Sequence, residues 1–171
     1  MIRKATDKDI DELCRIADEG KRQLKHIGID QWQKGYPNRE IWEDDVTKGL
    51  AWVVEKEGKV IAAFTLLTEP EPSYDVIDGA WLTGDIRNYA SLHRVCVADE
   101  AKGQGVAGEL FAFSLEKTRE LHLPSLRIDT HPGNKPMRRA VEKAGFLFCG
   151  DIRIIGGSED GGERVAYEML A

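Results

Sequence analysis

Lys102-Gly103-Gln104-Gly105-Val106-Ala107-Gly108 is the most informative stretch of this 171-residue sequence. An apolar segment typical of a strand, residues 92–97, precedes it, and a segment typical of a helix, residues 109–117, follows it. A glycine-rich loop between a strand and a helix presents unpaired backbone N–H groups at the positive end of the helix dipole. The stretch therefore predicts a site for a phosphate-bearing molecule.

The length fits one domain, spanning residues 1–171, that can bury a core of ordinary size. The net charge of −6 disfavours nonspecific binding to nucleic acid, which depends on summed positive charge. No apolar run approaches the roughly 20 residues of a membrane span, and no apolar segment follows Met1 as in a signal peptide. We therefore expect a cytoplasmic protein without nucleic-acid or membrane partners.

Three cysteines, Cys14, Cys96 and Cys149, lie far apart in the sequence. Their number is odd, and no pair shows the short spacing of a metal site. Reduced thiols and the absence of a bound metal are the simplest expectation.

Periodicity and capping signals divide the rest of the chain. We predict strands at 2–5, 51–55, 60–67, 92–97, 125–131, 146–155 and 164–170, and helices at 6–28, 39–49, 109–117 and 135–144. This order describes one α/β domain with a mixed sheet, in which the strands on either side of the helix after the loop run parallel. Residues 73–88 show no clear pattern.

Residues 29–38 form an unusual segment that contains Trp32 and Tyr36 among several amides. Two interpretations stay open. The segment is either a loop pinned to the core by Trp32, or a wall of a substrate pocket.

The spacing Gly103-x-Gly105-x-x-Gly108 also matches the dinucleotide-binding fingerprint, with Asp129 near the end of the next strand. Residues 98–102 separate the first glycine from its strand, whereas the fingerprint turns directly off the strand. Too few βα units follow the loop, and an antiparallel hairpin precedes it. A Rossmann-type dinucleotide-binding protein is therefore the weaker alternative.

The region from Val95 to Phe146 resembles the GNAT N-acetyltransferases. The signature Arg/Gln-x-x-Gly-x-Gly/Ala of that family appears as residues 102–107, with Lys102 in place of Arg or Gln. The second family block appears as Asn134 and the helix end Glu142-Lys143-Ala144-Gly145-Phe146. This resemblance implies a mixed sheet of about six to seven strands, flanked by about four helices, with splayed parallel strands 4 and 5. It also implies acetyl-CoA as cosubstrate.

The resemblance implies a set of cofactor contacts. Backbone amides of the loop would cradle the pyrophosphate, strand groups would bond the pantetheine, and basic side chains would add charge. The implied residues are Val95, Cys96, Val97, Lys102, Gly103, Gln104, Gly105, Val106, Ala107, Gly108, Asn134 and Arg138. For Asn134 a helix N-cap is an equally good interpretation, and for Cys96 a buried strand residue is the simplest one.

The implied reaction is direct attack of a primary amine, on a small molecule or a peptide, on the thioester in a ternary complex. Val141 stands where family members often carry a tyrosine that acts as the general acid. Either Tyr36 or Tyr167 takes its place, or the thiolate leaves without assistance. For the base we favour His93 over His131, because His93 lies on the strand beside the expected thioester site and imidazole titrates near neutral pH. Strand alternation places Asp129 and His131 on one face, where they could act together through a water.

Two further possibilities follow from the resemblance. The missing tyrosine allows a non-catalytic module that binds acyl-CoA. The family resemblance is also compatible with a homodimer, although no sequence feature decides the oligomeric state.

Overall fold

The computed structural model describes all 171 residues and shows one mixed β-sheet with helices on both faces. The helices are α1 (Ile10–His26), α2 (Arg39–Thr47), α3 (Val106–Glu120) and α4 (Lys135–Ala144). The strands are β1 (Ile2–Lys4), β2 (Ala51–Lys56), β3 (Lys59–Leu67), β4 (Asp78–Gly79), β5 (Ala90–Val97), β6 (Ser125–Thr130), β7 (Leu147–Arg153) and β8 (Glu163–Leu170). None of the helices is both long and apolar enough to cross a membrane.

The strand order in the sheet is β1-β2-β3-β5-β6-β8-β7-β4. Only β5 and β6 pair in parallel, which confirms the mixed α/β architecture predicted from the sequence. The sheet has eight strands rather than six or seven, because the two-residue β4 lies in the segment that showed no pattern and pairs with β7 at the edge. The parallel pair is accordingly the fifth and sixth strand, not the fourth and fifth.

Alternate residues of the strands face two separate apolar layers. Leu110 and Phe111 of α3 and Val141 of α4 pack against one face of the sheet. Leu13 and Ile16 of α1 pack against the other face. The sheet therefore serves as a rigid frame between two cores.

The two parallel strands separate soon after they meet. Pairing between β5 and β6 is limited to Ala90 with Leu126 and Ser91 with Arg127. Beyond this point β5 continues along β3, while β6 continues along β8. The predicted splay is therefore present, and it opens a cleft in the middle of the sheet.

A β-bulge at Arg94 lies just beyond the point where the strands separate. Its φ of 52° is left-handed, which is uncommon for a residue with a side chain, and the register with β3 shifts between Ala63 and Thr65. The Arg94 guanidinium makes a two-pronged contact with Asp45 of α2, at 2.7 Å from Nε to Oδ2 and 2.9 Å from Nη2 to Oδ1. The bulge thus directs Arg94 toward α2, while Val95 and Val97 face the layer of α3.

A third apolar cluster joins Tyr74, Trp81 and Tyr89, from the segment that showed no clear pattern and the residue after it, to residues of β7 and β8. The guanidinium of Arg127 on β6 lies 4.0 Å from the ring centres of both Trp81 and Tyr89 and pairs with the fully buried Glu168 at 2.8 Å. Cation–π contacts and a buried ion pair of this kind hold the segment against β6 and β8.

The buried pair of Arg94 and Asp45 predicts an asymmetry between neighbouring residues of α2. Asp45→Ala leaves the Arg94 charge buried without its partner, so we expect a loss of about 3 to 5 kcal/mol in the free energy of unfolding. Asp44→Ala removes only an exposed contact with Lys48 and should cost about 1 kcal/mol or less. Urea unfolding of both variants measures this. Equal losses in the two variants would contradict the claim that the ion pair of Arg94 and Asp45 stabilises the bulge.

Candidate active site

The cleft between the splayed strands is a cavity of about 990 Å³. The cavity is lined by residues of both splayed strands and of the glycine-rich loop, by Gln31, Trp32 and Tyr36, and by residues 154–159. A cavity of this size lies at the upper end of the range for small-molecule and cofactor sites. The loop that the sequence singled out and the carboxylate of Asp129 therefore open onto the same space.

The glycine-rich loop supplies an unusual run of free hydrogen-bond donors. The N–H groups of residues 103–108 donate no hydrogen bond within the protein. Gly103 and Gly105 have φ values of 74° and 77°, which glycine adopts without strain, and an added Cβ at either position would point into open space. Because α3 begins at Val106, these donors coincide with the positive end of its dipole. The arrangement can bind a phosphate or pyrophosphate group.

Basic side chains near the loop differ in what they can reach. Lys102 lines the cavity, and so does Lys143 of α4, which sequence reasoning had not singled out. Arg138 does not line it, because its Nε donates to the Tyr167 hydroxyl at 3.1 Å and its Nη1 donates to the Pro132 carbonyl at 3.0 Å. The Gln104 side chain likewise turns away and donates to the Glu100 carbonyl. Lys102 and Lys143 are therefore the cations available to an anionic ligand.

The strand and helix residues expected near a cofactor do lie at the cavity. Val95, Cys96, Val97 and Asn134 all line it. Asn134 is also the N-cap of α4, since its Oδ1 accepts the Met137 N–H, and its Nδ2 donates to the Thr130 hydroxyl. Burial raises the pKa of the Cys96 thiol to about 12, so this sulfur is protonated at neutral pH and is a poor nucleophile.

His93 lies in the cavity wall, but its ring is desolvated. Its Nε2 is 2.9 Å from the Ser91 hydroxyl, and its ring stacks on Tyr74 at 6.2 Å between centres. Burial, followed by the nearby charge of Arg94, lowers the pKa of His93 to about 3. The imidazole is therefore neutral near pH 7 and only weakly basic.

His131 does not join Asp129, contrary to the expectation from strand alternation. Strand β6 ends at Thr130, and the chain then turns toward α4. The Nδ1 atom of His131 accepts the Gly133 N–H at 2.9 Å, and its Nε2 lies 3.3 Å from Asp30. The side chain does not line the cavity, so its role here is to shape the turn.

Asp129 is the carboxylate of β6 that faces the cavity. Its Oδ2 accepts the hydroxyl of Tyr74 at 2.7 Å. Burial raises the pKa of Asp129 to about 6, while the Tyr74 hydrogen bond and the charge of Arg164 act in the opposite direction. A carboxylate with a pKa near neutrality can both take and release a proton at physiological pH. Tyr74 was missed because it lies in the unpatterned segment 73–88.

The sequence suggested Tyr36 and Tyr167 as substitutes for the tyrosine that is missing at position 141. Only one of these two side chains reaches the cavity. Val141 is fully buried in the core beneath α4. Tyr167 lies outside the cavity, where its hydroxyl contacts Arg138 and donates to Glu142. Tyr36 lines the cavity and accepts a hydrogen bond from Nη1 of Arg94 at 2.7 Å, which leaves its own hydroxyl hydrogen free to be donated.

The loop of residues 154–159 is joined across the cavity to the segment 29–38 and to Ser73. The Trp32 N–H donates to Glu159 at 2.5 Å, and the Ile155 N–H donates to the Ser73 hydroxyl at 2.9 Å. Trp32 also packs its ring against Gly20 of α1 and lines the cavity. Residues 29–38 thus satisfy both interpretations given above, as an anchored loop and as a pocket wall. No group of three or more metal-ligating side chains is arranged to hold an ion.

Comparison with known families and structures places this architecture in context. The family model described as "Acetyltransferase (GNAT) family" matches residues 11–146. The crystal structure of a GNAT-family acetyltransferase from Streptococcus agalactiae is 31% identical, superposes with a TM-score of 0.90, and is covered over 95% of its length by the whole of this chain. No curated protein sequence matches.

More distant structures share the fold. The PaiA N-acetyltransferase of Thermoplasma acidophilum, solved in complex with coenzyme A, is 15% identical with a TM-score of 0.73, over all of this chain and 98% of its own. The ribosomal-protein-alanine N-acetyltransferase of Brucella melitensis is 21% identical with a TM-score of 0.68, over all of this chain and 99% of its own.

The raised pKa of Asp129 predicts a pH-dependent cost in stability. Since the folded chain holds this proton up to about pH 6, against an ordinary value of 3.8, ionisation of Asp129 destabilises the fold as the pH rises through that window. Asp129→Asn should therefore be more stable than wild type above pH 6, by about 1 to 3 kcal/mol, and the difference should vanish near pH 4.

Chemical unfolding at several pH values measures this difference. Asp151→Asn, at an exposed position of β7, is the matched control and should show no such trend. A difference that is the same at pH 4 and pH 7.5 would contradict the assigned burial of the Asp129 charge.

Proposed function

The chain belongs to the GNAT acetyltransferase family, and we propose that it transfers an acetyl group from acetyl-CoA to a primary amine within a ternary complex. One observation carries the proposal. The same cavity is lined by Gly103 and residues 105–108, whose unpartnered amides suit a pyrophosphate, and by the carboxylate of Asp129, which suits proton removal. A donor and an acceptor can therefore meet in one enclosed space.

Binding of the donor would use mainly the backbone. Coenzyme A carries a pyrophosphate, which the free amides of the loop and the dipole of α3 would bind. Lys102 and Lys143 would add charge, and the edge of β5 around Val95 and Val97 would contact the pantetheine arm. Bound coenzyme A in the Thermoplasma structure supports this reading of the fold.

The chemistry requires a proton acceptor. A lysine-like amine has a pKa of about 10.4, so it arrives protonated and must lose a proton before it attacks. The Asp129 carboxylate would take that proton. The neutral amine then forms a C–N bond with the thioester carbonyl carbon and the C–S bond breaks. The departing thiolate of coenzyme A takes up the second proton that the nitrogen loses, so the products are the neutral amide and the thiol of coenzyme A. Asp129 suits this role better than His93, whose lowered pKa makes it a weaker base.

Tyr36 would assist the departing group. Its hydroxyl oxygen is occupied by Arg94, and its hydrogen is free to be donated into the cavity. Charge that develops on the carbonyl oxygen or the thiolate would be stabilised by such a donor. In this proposal Tyr36 takes the role of the tyrosine that family members often carry at the position of Val141.

The charges around Asp129 favour a cationic acceptor. Arg94 is neutralised by Asp45, and Arg164 pairs with Glu159 at 3.7 Å. Asp129 and Glu71, which also lines the cavity, form no salt bridge with a basic side chain. The unbalanced charge is therefore negative, so an ammonium group on a small molecule or a peptide would be attracted, while a carboxylate next to the amine would be repelled.

A non-catalytic module that binds acyl-CoA is the second candidate, and the observation that favours it is Val141 in place of the usual tyrosine. Thiol release from acetyl-CoA with a panel of primary amines separates the two. Release above the rate of hydrolysis supports the enzyme, whereas tight binding of acetyl-CoA with no release under any condition supports the module.

The donor site predicts a selective effect of a single glycine. Acetyl-CoA at 100 times its Kd should stabilise the wild-type chain by about 2.7 kcal/mol, seen as a rise in Tm, and NAD or ATP should not. Gly105→Val forces a branched side chain into a left-handed position at the loop and should abolish the rise.

The control for this experiment is Gly58→Val. Gly58 has a φ of 76° and equally open surroundings, but it lies in the β2–β3 turn and does not line the cavity. This variant should lose similar intrinsic stability and keep the full acetyl-CoA shift. Loss of the shift in both variants, or in neither, would mean that the loop does not hold the donor.

The assigned base predicts a pH profile. The acidic limb of kcat/KM should have a midpoint near 6, and Asp129→Asn should lower kcat by about 10²- to 10⁴-fold with little change in the KM for acetyl-CoA. His93→Gln should keep the acidic limb where it is, because a group that titrates near 3 does not set it. If the His93 variant lost the acidic limb while the Asp129 variant stayed active, His93 rather than Asp129 would be the base.

A further inference from the structure

Tyr74 is a buried residue that touches Asp129 without lining the cavity. It ends a short 3₁₀ turn, Pro72–Tyr74, and only 2% of its surface is exposed. Its hydroxyl donates to Oδ2 of Asp129 at 2.7 Å, a distance typical of a charge-assisted bond. One oxygen of the carboxylate is therefore bound by a buried residue that does not line the cavity.

The other oxygen of Asp129 has no partner. No hydrogen bond reaches Oδ1. Among the side-chain polar atoms without a hydrogen bond, only the indole nitrogen of Trp42 is fully buried, so Oδ1 is not fully buried. Oδ1 is consequently accessible, and the accessible space next to Asp129 is the cavity. The two oxygens thus have different surroundings, one fixed to the protein and one open to a ligand.

The position of the Tyr74 hydroxyl is itself fixed by the third apolar cluster. The Trp81 indole N–H donates to the Tyr74 carbonyl at 3.0 Å, and the two rings pack at 5.1 Å between centres. Arg127, on the same strand as Asp129, lies between Trp81 and Tyr89. The segment that carries the donor is therefore attached to the strand that carries the acceptor.

We propose that Tyr74 is a positioning residue, which holds Oδ2 of Asp129 so that Oδ1 faces the acceptor amine. The proposal rests on the proposed function, because it assigns to Asp129 the removal of the acceptor proton. By donating to the ionised carboxylate, Tyr74 favours the charged form that accepts a proton. It offsets part of the desolvation of Asp129 without occupying the oxygen that meets the substrate.

Other groups around Asp129 also affect its charge. Arg164 of β8 favours the ionised form, whereas Glu71, which precedes the turn of Tyr74, disfavours it. Tyr36, from the segment 29–38, interacts electrostatically with Asp129. His93 of β5 stacks on the Tyr74 ring and is uncharged near neutral pH. Tyr74 is the only one of these groups with a hydrogen bond to the carboxylate.

The test is Tyr74→Phe, which removes the hydroxyl and keeps the ring. The Asp129 carboxyl, followed by carbon NMR in the intact chain, should titrate about one pH unit higher in the variant than in wild type. In thiol-release assays the acidic limb of kcat/KM should move by the same amount, and the loss in kcat should shrink at higher pH. The KM for acetyl-CoA should not change.

The matched control is Tyr167→Phe. Tyr167 is equally buried and donates to a carboxylate, Glu142, but it does not contact Asp129. This variant should leave the titration of Asp129 and the acidic limb in place, and its Tm reports the cost of removing a buried hydroxyl. An unchanged Asp129 titration in Tyr74→Phe, or equal changes in both variants, would overturn the proposal.

Failure of the proposed function gives a different result. If wild type releases no thiol with any amine, the transferase is excluded, and the NMR titration still decides whether Tyr74 controls the proton of Asp129. An upward change in the titration confined to Tyr74→Phe supports that control, and no change refutes it.

Discussion

The ion pair between Arg94 and Asp45 is the interaction on which the site depends. It holds a residue with a side chain in a left-handed conformation inside β5, which is a costly arrangement that needs support from its surroundings. The bulge lies just beyond the last parallel pair, Ser91 with Arg127, where β5 follows β3 and no longer pairs with β6. The resulting cleft exposes strand edges in the middle of a sheet, which would otherwise be paired along their whole length. Arg94 also holds Tyr36, so the same pair connects the frame to the chemistry.

The cleft brings together two features with opposite electrostatic character. The free amides of residues 103–108 attract an anion, and Asp129 and Glu71 attract a cation. A thioester donor with a pyrophosphate and an acceptor with an ammonium group would therefore be bound by different parts of one cavity. The site achieves this at the expense of stability, since Asp129 is ionised at neutral pH in a place where burial favours its neutral form. Tyr74 limits that expense, and the packing of Trp81 and Arg127 keeps Tyr74 in place.

Local patterns in the sequence predicted the frame well, because helix periodicity, strand alternation and the glycine loop depend on neighbouring residues. All four helices and seven of the strands lie where those patterns indicate, and the loop carries the free donors expected of it. Features that depend on distant contacts were not predictable. The bulge at Arg94 has no glycine to mark it and is stabilised by Asp45, which lies 49 residues earlier. Alternation grouped His131 with Asp129, but β6 ends one residue too early for that, and the approach of Tyr74 to Asp129 crosses 55 residues of sequence.

The central claim is that the backbone of residues 103–108 binds coenzyme A, and the most direct measurement observes those amides themselves. In a titration of the labelled chain with coenzyme A, the amide resonances of residues 103–108 should show the largest changes in chemical shift, because a pyrophosphate would supply the acceptors that these N–H groups lack. Amides of the β2–β3 turn around Gly58 should stay unchanged. Saturable binding that leaves the resonances of residues 103–108 in place would contradict the account.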